Sequence, residues 1–499
     1  MNPVLLSLLA ATLVAGDDTP PRGLRLNDPQ AFQGYTLFAP LLSGTTFLID
    51  MQGVVVHKWV TDAAPMSVEL LENGHLLRMS RINENPVFFG GGIGGRIQEL
   101  DKDGQVLWEF VLTDAQRCMH HDIERLPNGN VLAIAWEFLS RDEAIALGRD
   151  AEQTDGRGFW PDCVLEIEPT RPSGGKIVWE WHAKDHFVQD RDPKKPGFGK
   201  IAEHVGRFDI NFRPTEKKPP ANDEEKKKQD EAAQKMRALG YAGGDAEDDE
   251  EDTTKPKPAG PTFRWAGDWM HTNAVHYDAT SDLIALSSPR FSEIFVIDHS
   301  TTTAEARTEK GGRYGKGGAL LYRYGNPQNY GLGTEADRRL FEQHDCQWIP
   351  AGSPGAGNMT VFNNGGGRAD KEYSSVDEIV LPFDAKRGFA RDAKSAFGPK
   401  ELAWTYTDPE NFYAPFISGC QRLANGNTLI CEGPAGRFFE VTSAGKIVWE
   451  YLNPFGGEIP PSFGSAAPKD QPAKVEPIAA FRVTRIAKDH PGLAKIGVK

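Results

Sequence analysis

Three stretches decide the fold: Leu71-Glu72-Asn73-Gly74-His75-Leu76-Leu77, Leu126-Pro127-Asn128-Gly129-Asn130-Val131-Leu132 and Leu423-Ala424-Asn425-Gly426-Asn427-Thr428-Leu429. Each sets Asn-Gly between apolar residues, and that dipeptide accepts the left-handed backbone a tight hairpin needs, so each predicts a turn joining two strands. A second element, glycine followed by alternating aliphatic residues, recurs at residues 53–59, 104–108, 175–179 and 445–449, ending on Trp59, Trp108, Trp179 and Trp449. The two elements alternate, and helical periodicity is nearly absent. Repeats of about 50 residues predict four-stranded blades stacked around an axis, an all-β propeller with the tryptophans packed between blades. A parallel β-helix would need far shorter repeats.

The chain has 499 residues, 39% of them hydrophobic, enough to bury a substantial core. Its net charge of −14 works against nucleic-acid binding, which needs clustered Lys and Arg. From Pro3 to Ala15 the chain is apolar or small, and Val14-Ala15-Gly16 precedes Asp17 as at a leader-peptidase site. The expectation is therefore export, to the periplasm or outside the cell. This run is shorter than the roughly 20 residues a membrane span needs, and no later stretch qualifies.

Residues 215–257 hold 13 acidic and 9 basic residues and almost nothing aromatic or β-branched, a composition that predicts a disordered insertion in a loop. Without the leader and this insertion about 440 residues remain, and at about 70 per blade they make six blades, with five or seven as neighbouring solutions. The expected layout is a signal peptide at 1–16, a propeller over 30–460 carrying the insertion, and a tail or closing segment at 461–499. Five cysteines (118, 163, 346, 420 and 431) show no CxxC or zinc-ligand spacing. A two-residue hairpin at Asn425-Gly426 would set Cys420 opposite Cys431, allowing a disulfide; a three-residue turn with a bulge would break that alignment.

Propeller inner strands converge on the axis, so residues in the same phase of successive repeats meet there. Three histidine segments share such a phase: His120-His121-Asp122, the motif Asp268-Trp269-Met270-His271-Thr272-Asn273, and Gln343-His344-Asp345-Cys346-Gln347-Trp348. Arg290 and Arg368, the latter after Asn363-Asn364-Gly365-Gly366-Gly367, add cations near strand ends. Imidazole and guanidinium groups together suit a tetrahedral oxyanion leaving a phenol or alcohol, because Arg grips two oxygens while His attacks or donates a proton. His120 and His121 are adjacent on a strand, where side chains alternate, so only one should enter the channel. Trp269 and Trp348, beside the motif histidines, are candidate substrate-stacking walls. No nucleotide loop is present; Gly90-Gly91-Gly92-Ile93-Gly94-Gly95 lies in a β context.

The Asp268–Asn273 motif with Leu286-Ser287-Ser288, the His344 segment, and Thr360-Val361-Phe362-Asn363-Asn364-Gly365 through Arg368 resemble the bacterial arylsulfate sulfotransferase family over most of the chain, from Gly34 to Pro454. The resemblance implies a six-bladed propeller, export, no cofactor, and nucleotide-independent sulfuryl transfer from an aryl sulfate to a phenol or alcohol through a transiently sulfated histidine. His271, His344 and Arg368 match family active-site positions, with Asn273 and Arg290 as neighbours; apart from the resemblance, His121 is read as a further substrate contact. One position departs: the resemblance implies a nucleophilic histidine after the arginine segment, yet none lies between His344 and His490, and that region reads Phe412-Tyr413-Ala414-Pro415-Phe416-Ile417-Ser418-Gly419-Cys420. His120 or His121 is the expected replacement. Two other readings of the same residues stay open, a propeller that binds an anionic or aromatic ligand without turnover and a metal-assisted lyase or hydrolase.

Overall fold

A computed structural model describes residues 22–82, 84–154, 156–214, 223–238, 267–456 and 478–499. Six antiparallel sheets make six blades. Blade 1 is formed by Gly34–Pro40, Thr45–Ile49 and Val55–Val60, and its innermost strand, Ala480–Ala487, comes from the far end of the chain. Blades 2 to 6 run in chain order with inner strands Pro65–Leu70, Arg117–Arg125, Ala274–Asp278, His344–Trp348 and Gly419–Arg422. On the outside of blade 6 the strand Gly23–Asn27 pairs with Ile447–Leu452. Gly23–Asn27 and Ala480–Ala487, far apart in sequence, thus both belong to the ring.

All three Asn-Gly stretches are hairpin turns, of the three-residue kind. The amide of Leu423 donates to the carbonyl of Asn427 and that of Gly426 to Leu423, with Gly426 at φ +88° closing the bulge; Leu71 and Leu126 head the same pattern. The register therefore pairs Cys420 with Ile430 and Cys431 with Gly419, and the bulge leaves the cysteines unaligned. All five cysteines are free, buried thiols.

The repeated tryptophans sit between blades, each indole N–H reaching the next blade's turn. Trp59 donates to the carbonyl of Asp101 (3.1 Å), Trp108 to Gly174 (2.8 Å), Trp179 to the Thr301 hydroxyl (3.2 Å) and Trp449 to Met51 (3.1 Å). The two remaining interfaces use a phenol, Tyr322 to Gly398 (2.7 Å), and a fifth indole, Trp404 to Ser443 (2.8 Å). Six donors on large apolar side chains therefore join the blades in a circle, coupling buried area to a directional bond.

Within the expected disordered insertion, Asp223–Ala238 is a helix. Its Glu, Lys, Gln, Ala and Met residues are strong helix formers, and Lys227 and Glu231 lie one turn apart, which accounts for helix where low hydrophobicity alone suggests coil. Met236 packs against Leu41, Phe416, Ile417, Ala479 and Phe481 at one end of the axis. The leader and the remainder of the insertion lie outside the described residues.

Candidate functional site

Four inner strands carry, at or just before their axial stretch, backbone that breaks the alternation of a regular strand. His121, His271 and Asp345 have φ of +57°, +53° and +56°, and Ile417 and Ser418 lie in the same left-handed region. In blade 3, His120, His121 and Asp122 together face the single residue Ile134, a bulge that turns neighbouring side chains to one side. The two imidazoles are therefore not on opposite faces: His120 Nδ1 and His121 Nδ1 lie 2.7 Å apart, so one proton is held between them. His120 also stacks on Trp136 at 4.2 Å and sets Nε2 3.3 Å from Asp162 Oδ1. The glycine-rich loop serves this strand: Gly92 accepts from the amide of His121, and a Cβ there would lie 2.0 Å from that ring.

From blade 4, His271 brings its ring to 4.5 Å from that of His121. Its Nδ1 lies 2.5 Å from Asp268 Oδ2. Asp268 is held from three sides. Arg290 donates to its Oδ2 (3.1 Å) and to its backbone carbonyl, and Trp136 Nε1 donates to its Oδ1 (3.1 Å). Burial alone would raise the carboxyl, but Arg290 and His271 outweigh it and hold it well below the usual carboxylate range. From blade 5, His344 places Nδ1 2.8 Å from Asn364 Oδ1, while the Asn364 amide donates to the carbonyls of Ala414 (2.7 Å) and Ile417 (2.9 Å). That fixes Nδ1 of His344 as the protonated nitrogen. Burial, with His271 close by, pushes its imidazole down to about 4. Burial also keeps His121 neutral, reinforced by His271, His120, His344 and Arg290 around it.

One ionic knot lies directly beneath these histidines. Arg482 pairs with Asp122 (2.9 Å) and Asp345 (2.8 Å). The Ser67 hydroxyl donates to Asp122 (2.8 Å), as does the amide of Val275 (3.2 Å), and the amide of Cys420 donates to Asp345 (2.8 Å). The six groups come from six different blades. Beside the histidines the wall is apolar: Leu41, Phe416, Ile417, Ala479 and Phe481 cluster, with the Phe481 ring 6.2 Å from that of His121.

The structure thus brings His121, His271, His344 and Arg290 together, but not every expected partner. Arg368 stays with its own blade, donating to the Tyr373 carbonyl and the Ser375 hydroxyl (3.0 Å each) between the rings of Phe341 and Tyr373; no hydrogen bond or ion pair among the described residues joins it to His271 or His344. The glycines before it form the turn that folds it back. Asn273 is buried and bridges blades 4 and 5 through the Gln343 carbonyl (2.9 Å). Trp269 and Trp348 are core residues, not substrate walls: Trp269 is packed among Phe159, Phe187, Phe208 and Phe291, and Trp348 lies in the cluster of Leu283, Leu340 and Val361. Asp268 was not singled out in the sequence; its carboxylate three residues before His271 in the quoted motif is the signal that could have found it. Arg482 and Phe481 had only the alternating pattern of residues 479–483 to mark a strand. Away from the histidines, Glu137, Cys163 and His182 bring ligand-type atoms within 4.8 Å of one another, a trio the spacing did not disclose; Lys184 pairs with Glu137 (3.0 Å).

The arylsulfotransferase (ASST) family model matches residues 40–453. No curated protein matches. Among solved structures, the chain is similar to a protein of unknown function from Bacteroides caccae (11% identity, 91% of this chain and 99% of that chain, TM-score 0.41). It is also similar to virginiamycin B lyase from Staphylococcus aureus (12%, 88% and 86%, TM-score 0.36) and to the β-propeller domain of Myceliophteria thermophila Cps50 (10%, 88% and 88%, TM-score 0.37).

Proposed function

Given that this chain belongs to the arylsulfotransferase family, we propose that it moves a sulfuryl group from an aryl sulfate ester to a phenol or alcohol acceptor, without a nucleotide, at the histidine-lined end of the propeller axis. One observation carries the reading: the imidazoles of His121, His271 and His344 and the guanidinium of Arg290, from three blades, meet beside an apolar wall that includes Phe481. The wall suits an aryl ring, and the nitrogen-rich floor suits the sulfate it carries. Arg290 supplies fixed positive charge where negative charge gathers on the sulfuryl oxygens and the leaving phenolate. Neutral His121 and His344 offer hydrogen bonds without repelling that cation. The Arg482 knot beneath holds the inner strands at a fixed spacing, so the site is organised before substrate arrives.

The test is purified protein with 4-nitrophenyl sulfate, with and without phenol. Release of 4-nitrophenol with matching formation of phenyl sulfate is expected; neither product from folded protein overturns the reading. The same reading makes the chain an exported protein cleaved after Gly16. The mature protein recovered from an exporting host should begin at Asp17, and retention of residues 1–16 there would refute cleavage.

A further inference from the structure

We infer that His271 is the residue that takes the sulfuryl group and that Asp268 is its positioning residue, an assignment that rests on the sulfuryl-transfer reading above. The sequence offers no histidine between His344 and His490, so the nucleophile must come from the axial cluster. His490 is excluded by place, since it caps the short helix Pro491–Lys495. His120 and His121 are fully buried and spend their Nδ1 atoms on each other. His344 is anchored to Asn364 and also buried. His271 differs from all of them: its side chain is 16% exposed, and the carboxylate behind it is itself clamped by Arg290 and Trp136.

The Asp268 contact decides which nitrogen reacts. A carboxylate 2.5 Å from Nδ1 keeps the proton on Nδ1, so the lone pair lies on Nε2, on the edge of the ring turned away from Asp268. The left-handed backbone at His271 folds residues 268 and 271 onto each other and fixes this pairing within one tight turn. In the first half-reaction the Nε2 lone pair forms the N–S bond, the S–O(aryl) bond breaks with its electron pair going to oxygen, and the phenolate takes a proton from solvent. The sulfated ring is an imidazolium, whose charge faces Asp268. Because Arg290 keeps Asp268 a weak base, the Nδ1 proton stays on the ring and the N–S bond remains labile. In the second half-reaction the acceptor oxygen attacks sulfur, the N–S pair returns to Nε2, and the acceptor hydroxyl releases one proton, so the cycle neither gains nor loses protons.

The experiment exposes the full-length protein to 4-nitrophenyl sulfate without acceptor, quenches in alkali and maps the sulfuryl label by peptide mass spectrometry. The label is expected on His271 with a stoichiometric burst of 4-nitrophenol. Both should vanish in His271→Asn, in which asparagine accepts the left-handed backbone and preserves the fold. Asp268→Asn should slow the burst by up to about 10⁴-fold, as when the carboxylate behind a reacting imidazole becomes an amide. Asp268→Glu should restore part of that rate, which a purely structural role for Asp268 would not predict. A label on His121 or His344, or sustained transfer in His271→Asn, overturns the assignment while leaving the transferase reading intact. Absence of transfer in the wild type with any acceptor removes that reading first.

Discussion

Replacing Arg482 by methionine should destabilise the ring from its centre. The variant keeps most of the side-chain volume but leaves Asp122 and Asp345 facing the axis without their cation, at 2.9 and 2.8 Å from atoms that no longer exist. Both carboxylates are buried. Breaking one partner of a buried ion pair costs about 3–5 kcal/mol because the remaining charge is stranded, a large share of the roughly 5–15 kcal/mol that holds a typical domain together. At about 2 °C per kcal/mol for a larger domain, the melting temperature should fall about 6–10 °C. Tryptophan fluorescence reports this well, since the 11 indoles include five at blade interfaces. Asp345→Asn in the Arg482→Met background should recover part of the loss, since it removes a stranded charge while retaining polar atoms for the Cys420 amide. A single Arg482→Met variant within about 0.5 kcal/mol of the wild type in urea titration, the scatter of ordinary surface changes, would refute the knot as the element that ties the blades.

Stability should also fall on acidification. Burial holds His344 at about 4 in the folded chain against about 6.5 unfolded, so its contribution is complete above pH 6.5 and is lost as pH drops toward 4. The loss is up to about 3 kcal/mol, and urea midpoints measured from pH 7 to 5 should decline less in His344→Gln; equal slopes would count against it. Trp59→Phe keeps the ring in place but removes the bond to Asp101 and should cost about 1 kcal/mol, read as a shifted urea midpoint with unchanged slope. Thiol titration of protein unfolded without reductant should find all five cysteines reactive; a count of three would mean that Cys420 and Cys431 are bonded after all.

The blade pattern was legible because it is local: Asn-Gly turns and strand-end tryptophans act within a few residues of where they stand. The register at Cys420 and Cys431 was not, because two- and three-residue turns use the same dipeptide and differ only in whether Gly426 closes a bulge. The phase of His121, His271 and His344 pointed to the axis and three blades did bring them there; of the adjacent pair it is His121 whose ring meets that of His271 while His120 stacks on Trp136, and a bulge rather than simple strand alternation sets the two apart. Proximity in sequence misled for Trp269, Trp348 and Arg368. Trp269 lies two residues from His271 but on the core side, and Arg368 follows its glycines back into its own blade. Asp268 was within the quoted motif, and Arg482 sat in a segment without any repeat signature, so its role depended on a contact spanning 360 residues to Asp122.

The strand that carries Arg482 also sets a timetable for biosynthesis. Asp122 and Asp345 leave the ribosome long before Ala480–Ala487, so a nascent chain can stack its middle blades but cannot neutralise the aspartates at their hub. Until that strand is made the hub is electrostatically frustrated and the histidines above it lack a rigid floor. A premature stop shortly before Phe481 should therefore give a chain that is retained by chaperones and has no turnover, although it encodes every histidine of the cluster.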